Sequence, residues 1–478
     1  MKEFRDDDRL NPVDAGLGPS PDLGSGRPAL EDGLPQPQRA FAFATIGIAI
    51  MMAVLDSSIM NVALPTIAER QGVAPATAIS VVMIYQLAVV ISLLPFAALG
   101  DSLGFRRIYF VGVILFGGAS YLCSQATSME MLNAARLLQG FGAGALMSIN
   151  GAMVRHIMPA NRIGSGLARI SLIVGVSAAS GPTVAGVILA LASWQWLFLI
   201  NLPLSLVILL SGLVTLPRMA GSRRRFDWIS ATLNAAAFGL TITGLTALGS
   251  SGWSGMVAVK FGLAALAFLA LTLRLKGAVA PMLPLDLLRI RPFAMAIVAS
   301  VCSFVTQFIV FVSLPFLFSV LGRSAVETGL LLTPWPVATA IVAPLAGKLS
   351  DRHAPEYLSL TGLAILTLGF LSLATMPKTP DDLNVAWRLM VCGIGFGLFQ
   401  APNNRVVMTT APRNRSGGAS GLQSTARVLG QSIGAALAAL MIGAAADFTL
   451  APVMGLAIAF CVVAIAATLL RASLSSRL

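Results

Sequence analysis

Fourteen apolar runs, each about 18–28 residues long, fill this chain from about residue 40 to residue 472. Their rough limits are 40–66, 77–99, 107–127, 130–155, 163–192, 195–216, 228–249, 256–275, 293–321, 327–347, 357–376, 385–410, 417–446 and 451–471. About 20 helical residues cross the hydrocarbon core of a bilayer. Lipid offers no partner to a backbone N–H or C=O, and at this run length only an α-helix satisfies its own. Charged residues make up 11% of the chain, against about 25% in soluble domains. The expected fold is an all-α polytopic membrane protein with 14 transmembrane helices.

The net charge of +12 follows the loops, not a nucleic-acid face. With both termini placed in the cytoplasm, 25 of the 32 Lys and Arg residues fall on cytoplasmic stretches. Arg70, Lys260, Arg323, Lys378 and Arg388 fall outside, and Arg136 and Arg427 fall within helices. That asymmetry is the positive-inside pattern, and it predicts an even number of spans with both ends cytoplasmic; the expected location is a bacterial inner membrane. The run Arg223-Arg224-Arg225 reads as a topology anchor. Residues 1–39 are polar, rich in Pro, Gly and Asp, and contain no apolar signal-peptide core, so they read as a disordered cytoplasmic tail. Cys123, Cys302, Cys392 and Cys461 lie in apolar runs without metal or redox spacing, and His156 and His353 are far apart. No GxxxxGK[ST] loop, nucleophile–base pair or carboxylate dyad is present. The expectation is therefore a non-enzyme with no cofactor and no metal.

A repeat organises the runs. Ala97-Ala98-Leu99-Gly100-Asp101 follows the second run, and Gly347-Lys348-Leu349-Ser350-Asp351-Arg352 follows the tenth. Two six-helix halves alone would put the second copy after run eight. Its place after run ten implies two inserted helices, a 6+2+6 plan. The predicted units are an N-terminal half over 40–217, the inserted pair with its flanking loops over 218–291, and a C-terminal half over 292–472. Related halves around a midplane site are a common transporter plan.

The first run carries Leu55-Asp56-Ser57-Ser58-Ile59-Met60-Asn61-Val62-Ala63-Leu64-Pro65. A carboxylate within lipid is costly unless neutralised by a proton or a cation, and it is read as functional by default. Three further blocks follow. Gly100-Asp101-Ser102-Leu103-Gly104-Phe105-Arg106-Arg107 lies between runs two and three. Arg136-Leu137-Leu138-Gln139-Gly140-Phe141-Gly142-Ala143-Gly144 opens run four, where an always-charged guanidinium must find partners. Ser177-Ala178-Ala179-Ser180-Gly181-Pro182-Thr183-Val184-Ala185-Gly186 lies in run five, where Pro182 removes a helical hydrogen bond and small residues allow close packing. Trp194-Gln195-Trp196-Leu197-Phe198-Leu199-Ile200-Asn201-Leu202-Pro203 opens run six, with Trp residues suited to an interfacial belt. Gln423, Arg427 and Gln431 are spaced four apart on one helix face in run thirteen.

In these blocks, over about residues 40–472, the chain resembles the major facilitator superfamily, and within it the fourteen-helix drug:proton antiporter branch. The resemblance implies that Asp56 and Arg136 serve proton coupling and cationic substrate. It implies that Asp101, Arg106, Arg107, Asp351 and Arg352 lock the halves, and that Gly181, Pro182 and Gly186 form the pliable contact of an exporter. Ala97, Ser102 and Phe105 depart from the loop pattern of the family, as does Ala354 in the second copy, and Ser177 and Ala185 stand where Gly is common. Asn61, Gln307, Gln400, Asn403, Asn404, Gln423, Arg427 and Gln431 are candidate cavity residues. The implied activity is proton-coupled efflux of lipophilic, cationic small molecules, with protons, the small-molecule substrate and the lipid bilayer as partners. A second reading is proton-coupled export or symport of an anionic or neutral metabolite, since Arg136 and Arg427 face one deep carboxylate. A non-transporting receptor on the same scaffold fits the coupling blocks poorly. Some relatives use a periplasmic adaptor, and nothing in the sequence signals one.

Overall fold

The computed structural model describes residues 33–159, 162–219, 226–275, 285–412, 416–444 and 449–475. Among them, fourteen helices are long and apolar enough to cross a membrane. In chain order they are α1 (Gln38–Gln71), α2 (Pro75–Leu103), α3 (Phe105–Ser124), α4 (Met129–Ile157), α5 (Leu172–Leu191), α6 (Trp196–Thr215), α7 (Trp228–Leu248), α8 (Gly255–Leu275), α9 (Arg291–Val320), α10 (Ala325–Leu349), α11 (Pro355–Ala374), α12 (Asp382–Thr410), α13 (Gly418–Gly443) and α14 (Leu450–Leu474). Every expected run is a helix. At its C-terminal end α1 runs furthest past the expected limit, through Pro65 to Gln71. Neighbouring backbone and side chains re-satisfy the groups that a membrane proline frees. The expected tail is shorter than 1–39, because α1 begins at Gln38 and Leu34 N–H donates to the Ile157 carbonyl at 3.0 Å. Residues 1–32 and Arg223-Arg224-Arg225 lie outside the described residues.

Local chemistry starts and stops the helices. Ser128 caps α4 by accepting from Met131 N–H, and Ser324 and Glu327 form a reciprocal capping box at α10. The turns after α1 and α9 both pass through a glycine with positive φ, Gly72 at 63° and Gly322 at 73°, a conformation that side chains with a Cβ rarely adopt. In both halves a short helical piece then precedes the long one, Pro75–Ala78 before Ser80–Leu103 and Ala325–Leu332 before Pro334–Leu349.

Packing repeats in the same way. In the first half α1 packs on α5 and α6, and α4 on α2 and α3; in the second, α9 packs on α13 and α14, and α12 on α10 and α11. The halves meet where α5 touches α10, α2 touches α13 and α1 touches α9. Helix α7 packs on α2 and α13, with α8 behind it. Asn234 of α7 donates to the Ile91 carbonyl of α2 at 3.2 Å, and Phe238 meets Phe268 of α8 edge-on at 5.1 Å. The helices placed between the two halves in sequence therefore lie outside the α2–α13 seam.

The α5–α10 seam is tight where α5 ends and α10 begins. A Cβ at Gly329 would lie against the Pro182 carbonyl oxygen, and one at Gly186 would approach the Val326 Cα to 2.9 Å. Thr183 and Thr333 hydroxyls share a hydrogen bond of 2.8 Å across it. Gly181 does similar work inside the first half, where a Cβ would meet the Ser58 side chain. The small residues of run five thus bring backbones into contact.

Two predictions follow from these contacts. Gly329→Ala overpacks the seam and costs about 1–3 kcal/mol, whereas Gly347→Ala, on the same helix with open space around it, is neutral or mildly stabilising; thermal unfolding in detergent of the two variants checks this. Asp227 caps α7 and accepts from Arg274 at 3.0 Å. Burial raises its pKa, but hydrogen bonds from Ser230 and Arg274 outweigh that and hold it at about 2. A depressed carboxyl adds stability above its unfolded value of about 3.9, and loses it as pH falls through the folded value. The destabilisation by Asp227→Asn, read as a melting shift, is therefore constant from pH 5 to pH 8 and shrinks only below about pH 4.

Candidate functional site

Asp56, halfway along α1, points into the first half. Its carboxylate accepts from Arg136 Nη1 at 2.7 Å, from Gln139 Nε2 at 2.8 Å and from Asn201 Nδ2 at 2.9 Å. Arg136 and Gln139 lie one turn apart on α4, and Arg136 Nη1 also donates to Gln139 Oε1 at 2.6 Å. Gln139 and Asn201 both reach the Ser120 hydroxyl of α3. Asp56 is 2% exposed, and Arg136 and Gln139 are fully buried. The remaining guanidinium face is covered by the Tyr85 ring, 4.2 Å from its carbon, while Nε donates to the Val81 carbonyl at 3.3 Å. Gly140 makes this possible, since a Cβ there would strike the Tyr85 carbonyl and Ala88. Asp56 and Arg136, paired by expectation only through their roles, are in direct contact.

A cavity of about 170 Å³ lies between the halves. From α1 it takes Val54, Ser57, Ser58 and Asn61, the face turned away from Arg136. Asp56 does not line it. Tyr85 and Gln86 of α2 do, so the Tyr85 ring separates the buried ion pair from the cavity. Phe304, Phe308, Phe311 and Phe396 form an apolar wall, and Gln307, Gln400 and Gln431 add amides. Among the described residues, Arg427 is the one formally charged side chain in the lining. A cation held about 7 Å from it would meet a repulsion of about 2 kcal/mol at an effective dielectric of 20, comparable to the most favourable cation–π attraction of the phenyl wall. The expected competition of proton and cation at a cavity-facing Asp56 therefore lacks its geometry.

Five of the eight candidate cavity residues line the cavity: Asn61, Gln307, Gln400, Arg427 and Gln431. The other three do not. Asn403 donates to the Ala296 carbonyl and the Ser300 hydroxyl at 3.0 and 2.8 Å, and Gln423 donates to Ser300 and Asn404 at 3.0 and 2.7 Å. These amides join α9, α12 and α13 within the second half. The same network takes in Arg471, which donates to Asn403 Oδ1 at 2.7 Å and lies 3.8 Å from Glu356. Arg471 reads in sequence as an ordinary basic helix end, yet it is 1% exposed.

Two of the loop residues, Asp351 and Arg106, bind within their own halves. Asp351 pairs with Arg405 of α12 at 2.6 Å, not with the adjacent Arg352. Arg106 donates to the Leu213 carbonyl of α6 at 2.6 Å and stacks on Phe110. Phe105, where the family has Arg, packs its ring against Gly100. Asp101 and Arg107 are exposed. Of the two tryptophans expected in an interfacial belt, Trp196 is exposed and Trp194 is buried edge-on against Phe198. The four cysteines are free and buried.

The profile of the Major Facilitator Superfamily matches residues 46–435. The chain belongs to this superfamily. It is 50% identical over 419 residues to the uncharacterized transporter YebQ of Escherichia coli, covering 87% of this chain and 92% of that one. It is 28% identical to the riboflavin transporter RibZ of Clostridioides difficile (84% and 87% covered) and 32% identical to the multidrug resistance protein Stp of Mycobacterium tuberculosis (85% and 76%). A crystal structure of the peptide transporter POT superposes with a TM-score of 0.67 at 16% identity, covering 91% of this chain and 94% of that one, a likeness of fold. As a major facilitator protein the chain is a multi-pass membrane transporter of small molecules, and not an enzyme.

Removing one partner of a buried ion pair strands the other, at about 3–5 kcal/mol. Asp56→Asn and Arg136→Gln should each lower stability on that scale, and the double variant by clearly less than the sum. A double-mutant cycle on detergent-solubilised protein measures the coupling; strict additivity would mean that the contact contributes nothing.

Proposed function

We propose that this chain exports amphiphilic small molecules across a bacterial inner membrane in exchange for protons, with both termini in the cytoplasm. The observation that carries the reading is the Asp56–Arg136 pair lodged against the wall of a cavity between two related halves. Relatives named for multidrug resistance support the export direction.

Asp56 is the proton site and Arg136 its internal counter-ion. Ionised, Asp56 holds Arg136, Gln139 and Asn201 in one cluster. Proton uptake removes the charge that Arg136 neutralises and leaves a buried cation to its weaker partners, the Val81 carbonyl, Gln139 and the Tyr85 ring. Such a cation is costly, and the cluster relaxes toward α2. Tyr85 belongs to both the cluster and the cavity lining, so the shift alters the cargo site. Proton and cargo are thereby coupled through Tyr85 without sharing an atom. One charge moved through 100 mV contributes about 2.3 kcal/mol. With the termini inside, the tight α5–α10 contact seals the outer end, and Pro182 and Gly186 are where the halves part. Drug-sized pockets span about 300–1,000 Å³, so parting of the halves also widens the present cavity.

Proteoliposomes with an internal pH dye test this, challenged in turn with ethidium and 2-naphthoate. Whichever probe is transported should drive proton movement in the parent protein and none above background in Asp56→Asn. Probe affinity in Asp56→Asn should shift and lose its dependence on pH, because the neutral side chain mimics the protonated state that acts on the cavity through Tyr85. Full coupling in Asp56→Asn removes Asp56 from the mechanism.

A further inference from the structure

We propose that the cargo is an amphiphilic monoanion, a carboxylate on a flat apolar body, and that Arg427 is its anchor. The inference rests on the transport reading and narrows its substrate class.

Three other arginines of the bundle, all buried, set the standard. Arg136 has Asp56, Gln139 and a carbonyl; Arg471 has Asn403, Ser359 and Glu356; Arg388 has Asn384 and Thr375. Each of these guanidiniums is met by oxygen. Arg427 is met by sulfur: its contact is Nη2 to the Met147 thioether at 3.9 Å. A guanidinium has five N–H donors and does not deprotonate in proteins, and a thioether is a weak acceptor. No carboxylate of the described residues lines the cavity to neutralise it. Asp56 already accepts from three donors behind Tyr85. The charge in the cavity is therefore uncompensated, and a carboxylate of the cargo supplies both the charge and the bidentate geometry that a guanidinium prefers.

The rest of the lining fits such a molecule. Phe304, Phe308 and Phe396 offer apolar area for a ring system. Asn61, only 4% exposed, keeps its Oδ1 buried and without a hydrogen-bond partner at the cavity wall. It is free to accept from a hydroxyl or amine of the cargo. Arg427 belongs to the second half and Met147 to the first, so an anion at this point sits between the halves, where occupancy is felt by both.

A matched series tests the proposal on the full-length protein in lipid nanodiscs: 2-naphthoate, its neutral carboxamide and 2-naphthylmethylammonium share one ring system and differ in charge. Trp335, packed against Phe311 and Phe396, reports occupancy by fluorescence. The naphthoate should bind at least about ten times more tightly than either companion. Arg427→Gln should bring it down to the carboxamide level while leaving the carboxamide unchanged, and Arg427→Lys should restore part of the preference. Carboxamide binding also certifies that the variants are folded. A naphthoate no tighter than its amide, no naphthoate binding at all, or an unchanged preference in Arg427→Gln overturns the proposal. The two readings fail separately. Arg427-dependent naphthoate binding with proton flux intact in Asp56→Asn removes the coupling reading alone. Asp56-dependent flux driven by ethidium, with ethidium bound better than naphthoate, removes the anion alone.

Discussion

The first half of this transporter is organised around one ion pair held away from water. Asp56 and Arg136 lie 2.7 Å apart with almost no exposed surface, inside a set of further hydrogen bonds. Desolvating two charges costs several kcal/mol each, which excellent geometry and added hydrogen bonds must offset. Gln139, Asn201, Ser120 and the Val81 carbonyl provide those bonds from α4, α6, α3 and α2. Five helices are thereby fixed relative to one another around this pair.

The second half solves a similar problem with different residues. Its buried cluster runs from Glu356 through Arg471 and Asn403 to Ser300, Gln423 and Asn404. The backbone repeat is close, down to the positive-φ glycines after α1 and α9, while the polar interiors differ. In the proposed cycle this separates two jobs: the shared helix scaffold serves the rocking of the halves, and the unlike interiors leave the proton site proposed for Asp56 to one half.

Much of this was legible in the chain itself. Span number and type follow from hydropathy, because lipid leaves the backbone few choices. The significance of Asp56 and Arg136 is readable because charge in lipid is expensive wherever it points. Direction is what composition hides. Asp56 is flanked by Ser57, Ser58 and Asn61, which do face the cavity, and nothing local says that Asp56 turns the other way. Gln423 shares a helix face with Arg427 and Gln431, yet Ser300 and Asn404 draw it aside. Tyr85 and Asn201 look like ordinary apolar-run and helix-start residues until tertiary contacts place them against the ion pair. Arg471 escapes notice because a basic residue at a helix end has a ready topological explanation.

The placement of α7 and α8 makes the bundle lopsided in its dealings with the bilayer. The pair screens the junction of α2 with α13. At the matching junction, α5 and α10 keep Leu172, Val176, Val187, Ile341 and Leu345 exposed, a greasy flank with direct access to acyl chains. The two junctions thus present unlike surfaces to the bilayer, one screened by an extra helix pair and the other bare to the acyl chains.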